Sequence, residues 1–384
     1  MARTLLPLVA LLPVLAAGCD AACDPGDLCV YMGDGAPGVA AEGDLRTGSG
    51  LYGPVDLAFD PEGRAVIVER SNHRLIRVEL DDTIVPLLGT AGAPGQGPDG
   101  PTADARLREP TDVAFRPDGT LVVAAWRNWR VAEAEVGGEF QFTCGTGDRD
   151  GYGDGGPASE AALDLPSSVA VDSAGNVYIG DQANQRVRVI DVGGVIETFA
   201  GTGAHGFDGD LGLATESMLA APAFQQTTPA LKIALDEARR RLLVADTHNG
   251  RVRSIDLDTG VITTLAGRGR TEPDSGPADG CVSGCGFSGD GGPATEAELT
   301  SPTDVAVASD GTVYIADPGL DCVRAVDPDG TIRTAAGVCG EQGDEGLAGP
   351  ADEALLAGPF GVAVHDDVLY VADSYNHRVL QVEP

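Results

Sequence analysis

The stretch Leu299-Thr300-Ser301-Pro302-Thr303-Asp304-Val305-Ala306-Val307, continued by Gly311-Thr312-Val313-Tyr314-Ile315-Ala316-Asp317, decides the fold. A proline opens an alternating apolar segment, a glycine turn follows, and a β-branched segment runs to an acid. Period-two alternation between turn residues marks antiparallel strands. The opening L-x-x-P recurs at Leu51/Pro54, Leu107/Pro110, Leu163/Pro166, Leu219/Pro222 and Leu356/Pro359, so successive prolines lie 56, 56, 56, 80 and 57 residues apart. An N-x-R turn leads into a third segment in every repeat but the fifth, which shows Leu320-Asp321-Cys322 instead, and a fourth segment ends in glycine, as in Ile262-Thr263-Thr264-Leu265-Ala266-Gly267. Four strands per repeat and six repeats predict an all-β, six-bladed β-propeller.

The ends of the chain predict how the ring closes. A fourth-strand segment, Cys29-Val30-Tyr31-Met32-Gly33, precedes the first repeat, whereas the last repeat stops after its third strand. The N-terminal strand therefore completes the C-terminal blade and removes the free edges of an open array. The domain reading is a signal peptide over 1–18, a lipid anchor and short tether over 19–27, and one propeller over 28–384.

Arg3 precedes an apolar run from Leu5 to Ala17, too short to cross a bilayer. It ends in Leu15-Ala16-Ala17-Gly18-Cys19, which resembles a bacterial lipobox with Ala16 in place of the usual larger aliphatic residue. That resemblance implies export, lipidation of Cys19 and a place on the periplasmic or cell-surface side of a membrane. The net charge of −34, with Lys232 as the sole lysine, argues against nucleic-acid binding, which needs basic residues on phosphates. Close spacing suggests disulfides Cys23–Cys29 and Cys281–Cys285; Cys322 and Cys339 fall at the same face and form a third candidate pair. Cys144, inside a fourth strand, is left over as a buried thiol.

Gly289-Asp290-Gly291-Gly292-Pro293-Ala294-Thr295-Glu296-Ala297-Glu298-Leu299 and its counterpart over Gly153 to Leu163 resemble NHL repeats, in the flavour of the teneurin-type NHL domain. The resemblance covers nearly all of the mature chain. It implies a six-bladed ring used mostly for binding, with a minority of catalytic relatives. Amidating lyases of that kind place metal-binding histidines just after the proline of inner strands. The corresponding positions here are Val55, Thr111, Ser167, Thr303 and Phe360, with Ala223 or Ala230 in the interrupted fourth blade; none is a zinc ligand. Asp56, Asp112 and Asp304, one residue further on, are the remaining metal candidates at the channel mouth.

The recurring residues read as scaffold. Glu69, Asp181, Asp246, Asp317 and Asp373 are expected to accept backbone N–H bonds in the turn that follows each. Asn72, Asn128, Asn184, Asn249 and Asn376 suit a positive-φ position, and Arg74, Arg130, Arg186, Arg251 and Arg378 suit pairing with the acids. The Gly-Asp loops could bind Ca²⁺, although none has EF-hand spacing, and no other cofactor is implied.

Departures from the repeat gather on one face, where second–third and fourth–first connections emerge. Blade four gains residues between Pro222 and Ile233, including Phe224, and the loop after it holds Cys281 and Cys285. Trp126, Trp129, Tyr375, His377 and His73 lie in turns of the same face and, with Phe224, are the candidate ligand-binding residues; His73 and His377 form a candidate metal pair. The reading is a monomeric, non-catalytic envelope module that binds a protein or glycan through this face. Two alternatives stand beside it: a cation-dependent lyase or hydrolase at the channel mouth, and a purely architectural envelope protein.

Overall fold

The computed structural model describes residues 24–97, 99–223, 228–269 and 287–382. Six antiparallel sheets form the blades of a propeller. Blade one comprises Pro54–Phe59, Ala65–Glu69, Arg74–Val78 and Ile84–Gly89. Blade two comprises Asp112–Phe115, Leu121–Ala125, Arg130–Ala134 and Glu139–Cys144. Blade three runs from Pro166–Val171 through Val177–Asp181 and Arg186–Ile190 to Val195–Ala200. Blade four holds Ile233–Asp236, Arg241–Asp246, Arg251–Asp256 and Ile262–Ala266. Blade five holds Asp304–Val307, Val313–Asp317, Cys322–Val326 and Ile332–Ala336.

Blade six has three strands of its own, Pro359–His365, Val368–Asp373 and Arg378–Val382. Its fourth is the N-terminal Leu28–Met32, in the register Leu28↔Val382, Cys29↔Gln381, Val30↔Leu380. The closure expected from the sequence is the closure found. The outer edge of this strand is covered as well: Leu28 exchanges backbone hydrogen bonds with Gly349 and Ala348 of the loop entering blade six.

The core lies between blades rather than around an axis, and strand alternation explains why. In Arg241–Asp246, Leu242 and Val244 face blade three while Leu243 and Ala245 face blade five. Each sheet thus buries both faces, and the apolar clusters fall one to each blade–blade interface.

Cys322 and Cys339 are joined by a disulfide, and Cys29 is disulfide-bonded. Cys23, Cys281 and Cys285 lie outside the described residues. Cys144 is free and buried, and burial pushes its thiol up to about 12, which keeps it unreactive in the folded protein. The Cys322–Cys339 bridge closes a loop of 17 residues. Cys322→Ser with Cys339→Ser is expected to lower stability by about 2–4 kcal/mol, because the unfolded chain regains the entropy that the bridge removes. Chemical denaturation of the oxidised protein and the double variant measures this; coincident midpoints would show that the bridge stabilises nothing.

Candidate functional site

The axis is built from one equivalent residue near the start of each inner strand. In blade order these are Asp56, Asp112, Ser168, Lys232, Asp304 and Gly361, each one step before Leu57, Val113, Val169, Ile233, Val305 and Val362. The only lysine of the chain therefore stands where three of the other five blades carry aspartate. Lys232 Nζ lies 3.1 Å from both Asp56 Oδ2 and Asp304 Oδ2, and donates to the Val55 carbonyl across the ring at 3.3 Å. Asp112 hydrogen-bonds to Asp56 and accepts the Val169 N–H at 3.0 Å, while Asp304 accepts the Val362 N–H at 3.1 Å.

These four side chains are buried. Burial pushes Asp56 well above the usual carboxylate range, with Asp112 adding like charge and Lys232 opposing. Burial pushes Asp304 up to about 6, and the three carboxylates together hold the ammonium of Lys232 protonated. The weak cation ligands offered by the sequence, Asp56, Asp112 and Asp304, are thus engaged by the chain's own cation. Among the described residues, no three His, Cys, Asp or Glu side chains converge as a metal-ligating group.

Neighbouring hydrogen bonds fasten the inner strands to one another. Thr111 donates to the Ser167 carbonyl, Thr303 to the Phe360 carbonyl, and Ser168 Oγ accepts the Ile233 N–H. A Cβ on Gly361 would fall 2.4 Å from the Val55 carbonyl oxygen, so the backbone approach there requires glycine. The axis is a tie between blades, filled by side chains at this level.

The loop-rich face is built from a second recurring device. Each acid at the end of a second strand turns back to the L-x-x-P segment of its own blade, and Asp317 also accepts a backbone N–H from Gly319 in the turn that follows it. Glu69 accepts from Tyr52 N–H, Asp181 from Asp164, Asp246 from Ala220, Asp317 from Thr300 and Ser301, and Asp373 from Ala357. The asparagines are not at positive φ. Asn72, Asn184, Asn249 and Asn376 each donate from Nδ2 both to that acid and to a loop carbonyl, those of Gly38, Asp150, Gly206 and Gly343. In blade two, where Ala125 replaces the acid, Asn128 Oδ1 takes over and accepts from Arg108 N–H.

The positive φ belongs to the next residue: His73, Trp129, Gln185, Gly250, Asp321 and His377. That conformation aims the side chain at the following blade, where four of the six accept a backbone N–H: His73 from Glu109, Gln185 from Ala221, Asp321 from Gly358, and His377 from Gly53. His73 and His377 are blade-to-blade clasps whose Nδ1 atoms serve different neighbours, so the two do not form a metal pair. Desolvation lowers both pKa values, as an imidazole accepting through Nδ1 requires.

The arginine expectation divides in two. Arg74 pairs with Glu69 and Arg378 with Asp373, but Arg130, Arg186 and Arg251 instead donate to loop carbonyls. In blades three, four and five the fully buried Arg188, Arg253 and Arg324 reach Asp154, Asp210 and Asp290 of the Gly-Asp loops. Thr198, Thr264 and Thr334 hydroxyls occupy the second oxygen of those carboxylates. The candidate calcium loops use their aspartates to hold the loop on the outer strand.

The candidate binding residues separate by exposure. Trp126 is fully buried. Its Nε1 donates to Gln182 Oε1, and Gln182 Nε2 donates to the carbonyls of Pro222 and Thr228. It braces the stem of the blade-four insertion and is not an exposed anchor. Trp129 is half-buried beneath Arg149, and Phe224 lies outside the described residues. Tyr375 is 58% exposed and packs edge-on against Phe360. The exposed aromatics among the described residues are Tyr52, Tyr152, Phe207, Phe287 and Tyr375. Every one sits on a second–third or fourth–first connection of the loop-rich face. Phe207 and Phe287 stand at the same place, three residues before Asp210 and Asp290, and Tyr152 stands two before Asp154, so the Gly-Asp loops carried a repeated aromatic that the turn-centred sequence reading passed over.

Blades of four strands, closed by the N-terminal strand and clasped through a repeated acid–asparagine turn, define a six-bladed propeller of NHL-type repeats. The teneurin NHL domain family matches residues 132–221 and 233–348, more than half of the chain, and the NHL repeat matches 356–382; the chain belongs to this family. NHL repeat-containing protein 2 of Bos taurus is 27% identical over 293 residues, covering 69% of this chain and 37% of that protein. Teneurin-1 of Mus musculus is 28% identical over 261 residues, covering 51% of this chain and 9% of that protein. The chain thus spans well under half the length of these relatives. Among solved structures, an auxiliary nutrient binding protein from Bacteroides ovatus superposes with a TM-score of 0.61 at 15% identity, over 93% of this chain and 76% of that one. A Bacteroides thetaiotaomicron protein of unknown function gives 0.62 at 14%, over 92% and 75%. At these identities the likeness is one of fold.

Proposed function

We propose that this chain is a non-catalytic binding module of the cell envelope, held at a membrane by a lipid on Cys19, that engages a protein or glycan through its loop-rich face. The observation that carries the reading is the confinement of exposed aromatics to the connections of that face. Rigid aromatic rings on loops supply contact area at low entropic cost, which is why they anchor interfaces. The opposite second half of the argument is the axis: the carboxylates that a channel-mouth lyase would use already hold Lys232. The Cys322–Cys339 bridge supports an oxidising compartment. One fold neighbour is described as nutrient binding, which supports a binding use of this ring without naming a ligand.

A photo-crosslinking residue at position 375, in cells, tests the face. It is expected to trap a defined envelope partner or glycan, whereas the same probe at Val192, exposed in a third–fourth turn of the opposite face, should not. With the probe at 375, Tyr52→Ala combined with Phe207→Ala should weaken that capture tenfold or more. Equal capture from positions 375 and 192 would sink the face assignment. Membrane fractionation of the wild type and Cys19→Ala tests the anchor separately; a membrane-bound Cys19→Ala protein would remove the lipid from the reading.

A further inference from the structure

Away from the axis and the clasps, the fold brings two imidazoles together. His205 is exposed on the connection from blade three to blade four, and His248 is half-buried in the turn after Arg241–Asp246. His205 Nε2 and His248 Nδ1 are 3.1 Å apart, with ring centroids 5.5 Å apart and planes inclined at 63°. The rings meet nitrogen to nitrogen instead of stacking.

Their backbones are held by bonds that do not involve the rings. His205 forms an isolated bridge with Leu219, and the His248 N–H donates to the Ala220 carbonyl at 2.8 Å. Asn249 Nδ2 ties the two segments together through the Gly206 carbonyl at 2.7 Å. The clasp that recurs in the other blades therefore fixes both histidines in place, while Gly250 at its positive-φ position leaves no side chain between the blades there.

We propose that His205 and His248 form a surface site for an imidazole-preferring divalent cation, Cu²⁺ or Zn²⁺, chelated by His205 Nε2 and His248 Nδ1. Metal–imidazole bonds of about 2.0–2.1 Å at a tetrahedral angle place two ligand nitrogens about 3.3–3.4 Å apart. The observed 3.1 Å lies between that tetrahedral span, suited to Zn²⁺, and the roughly 2.8–2.9 Å between adjacent donors in the tetragonal geometry of Cu²⁺. Imidazole donors select Cu²⁺ and Zn²⁺ over Ca²⁺ and Mg²⁺, which take oxygen ligands. With two imidazole donors among the described residues, the site is a micromolar surface chelate rather than a structural centre. The acidic field of a chain with net charge −34 raises the local concentration of cations.

The test uses the full chain, titrated with Cu²⁺ at physiological ionic strength and followed by calorimetry and by electron paramagnetic resonance. One equivalent is expected to bind with a micromolar dissociation constant and to show hyperfine coupling to two nitrogens. His205→Ala and His248→Ala should each weaken binding tenfold or more and abolish the two-nitrogen signature. His365→Ala, which removes a histidine stacked on Phe59 in blade six, should leave both unchanged. Binding of equal strength in wild type and both site variants would assign the copper to surface carboxylates and overturn the proposal. So would the absence of a two-nitrogen signal at one equivalent. Melting curves of the two variants, expected to match the wild type without metal, separate loss of the site from loss of the fold.

Discussion

Lys232→Met is expected to destabilise the propeller by roughly 3–5 kcal/mol at pH 8, the cost of leaving buried charge without its partner. Among the described residues Lys232 is the cation paired with Asp56 and Asp304, and it links blade four to blades one and five through the axis. Methionine keeps the length and apolar stem of the side chain but removes the ammonium and its bond to the Val55 carbonyl. The double variant Lys232→Met with Asp304→Asn should recover part of the loss, because it also removes one of the charges left behind. A coupling of about 1 kcal/mol or more in that cycle is expected for groups in direct contact. Additive losses would show that the cluster does not act as a unit.

The same cluster sets a pH dependence whose sign is fixed by Asp304. Its folded pKa, raised to about 6, lies above the unfolded value of 3.8. Between those values the native state holds more protons than the unfolded state, so this group favours folding as pH falls from 7 toward 4. Stability of the wild type relative to Asp304→Asn should therefore rise between pH 7.5 and pH 5. The penalty of Lys232→Met should shrink over the same interval, because protonated carboxylates no longer need the ammonium. A penalty that grows on acidification would overturn this account of the axis.

Much of this architecture was legible because propeller blades repeat. Alternation after each L-x-x-P proline placed the strands, and the unpaired fourth-strand segment at Cys29 located the closing strand. Cys322 and Cys339 could be paired because the alternating strand directions put both at one face. The axis was not legible for a local reason. The insertion between Pro222 and Ile233 separates the blade-four proline from its inner strand, so counting from proline leads to Ala223 or Ala230. The equivalent of Val55 is in fact Leu231, held at a φ of 59°, and the axial residue is Lys232. A lone lysine in a strongly acidic chain was the available signal.

The aromatic residues failed for a different reason. Trp126 reads as an exposed turn residue, but its ring fills the space under an insertion that has no counterpart in the other blades, and Gln182 completes its hydrogen bonding. Burial of a side chain under a unique loop cannot be read from a repeat. His205 and His248 escaped notice because they come from different elements, 43 residues apart, brought together by backbone bonds to Leu219 and Ala220 and by the carbonyl that Asn249 holds. The repeated asparagine was visible; its second partner was not, since that partner is a loop carbonyl with no sequence identity.

Deleting residues 28–33, with residues 1–27 left in place, is expected to weaken cooperative folding of the propeller severely. Leu28 and Met32 are fully buried, and truncating a buried Leu or Met alone costs about 2–5 kcal/mol. The deletion also bares the edge of Arg378–Val382, whose backbone pairs with Leu28, Cys29 and Val30. An unpaired edge next to exposed apolar side chains is a template for association between chains. Light scattering should therefore find larger species than the wild type forms, and the thermal transition should broaden and fall. Because the missing element is a single added strand, a synthetic peptide of residues 24–36 should dock on the open edge and restore part of the monomer. Leu28→Ala provides the graded case: a lower midpoint with the monomer retained. A deletion variant that stays monomeric with an unchanged midpoint would mean that the loop at Ala348 and Gly349 seals blade six unaided, and that the N-terminal strand does not close the ring.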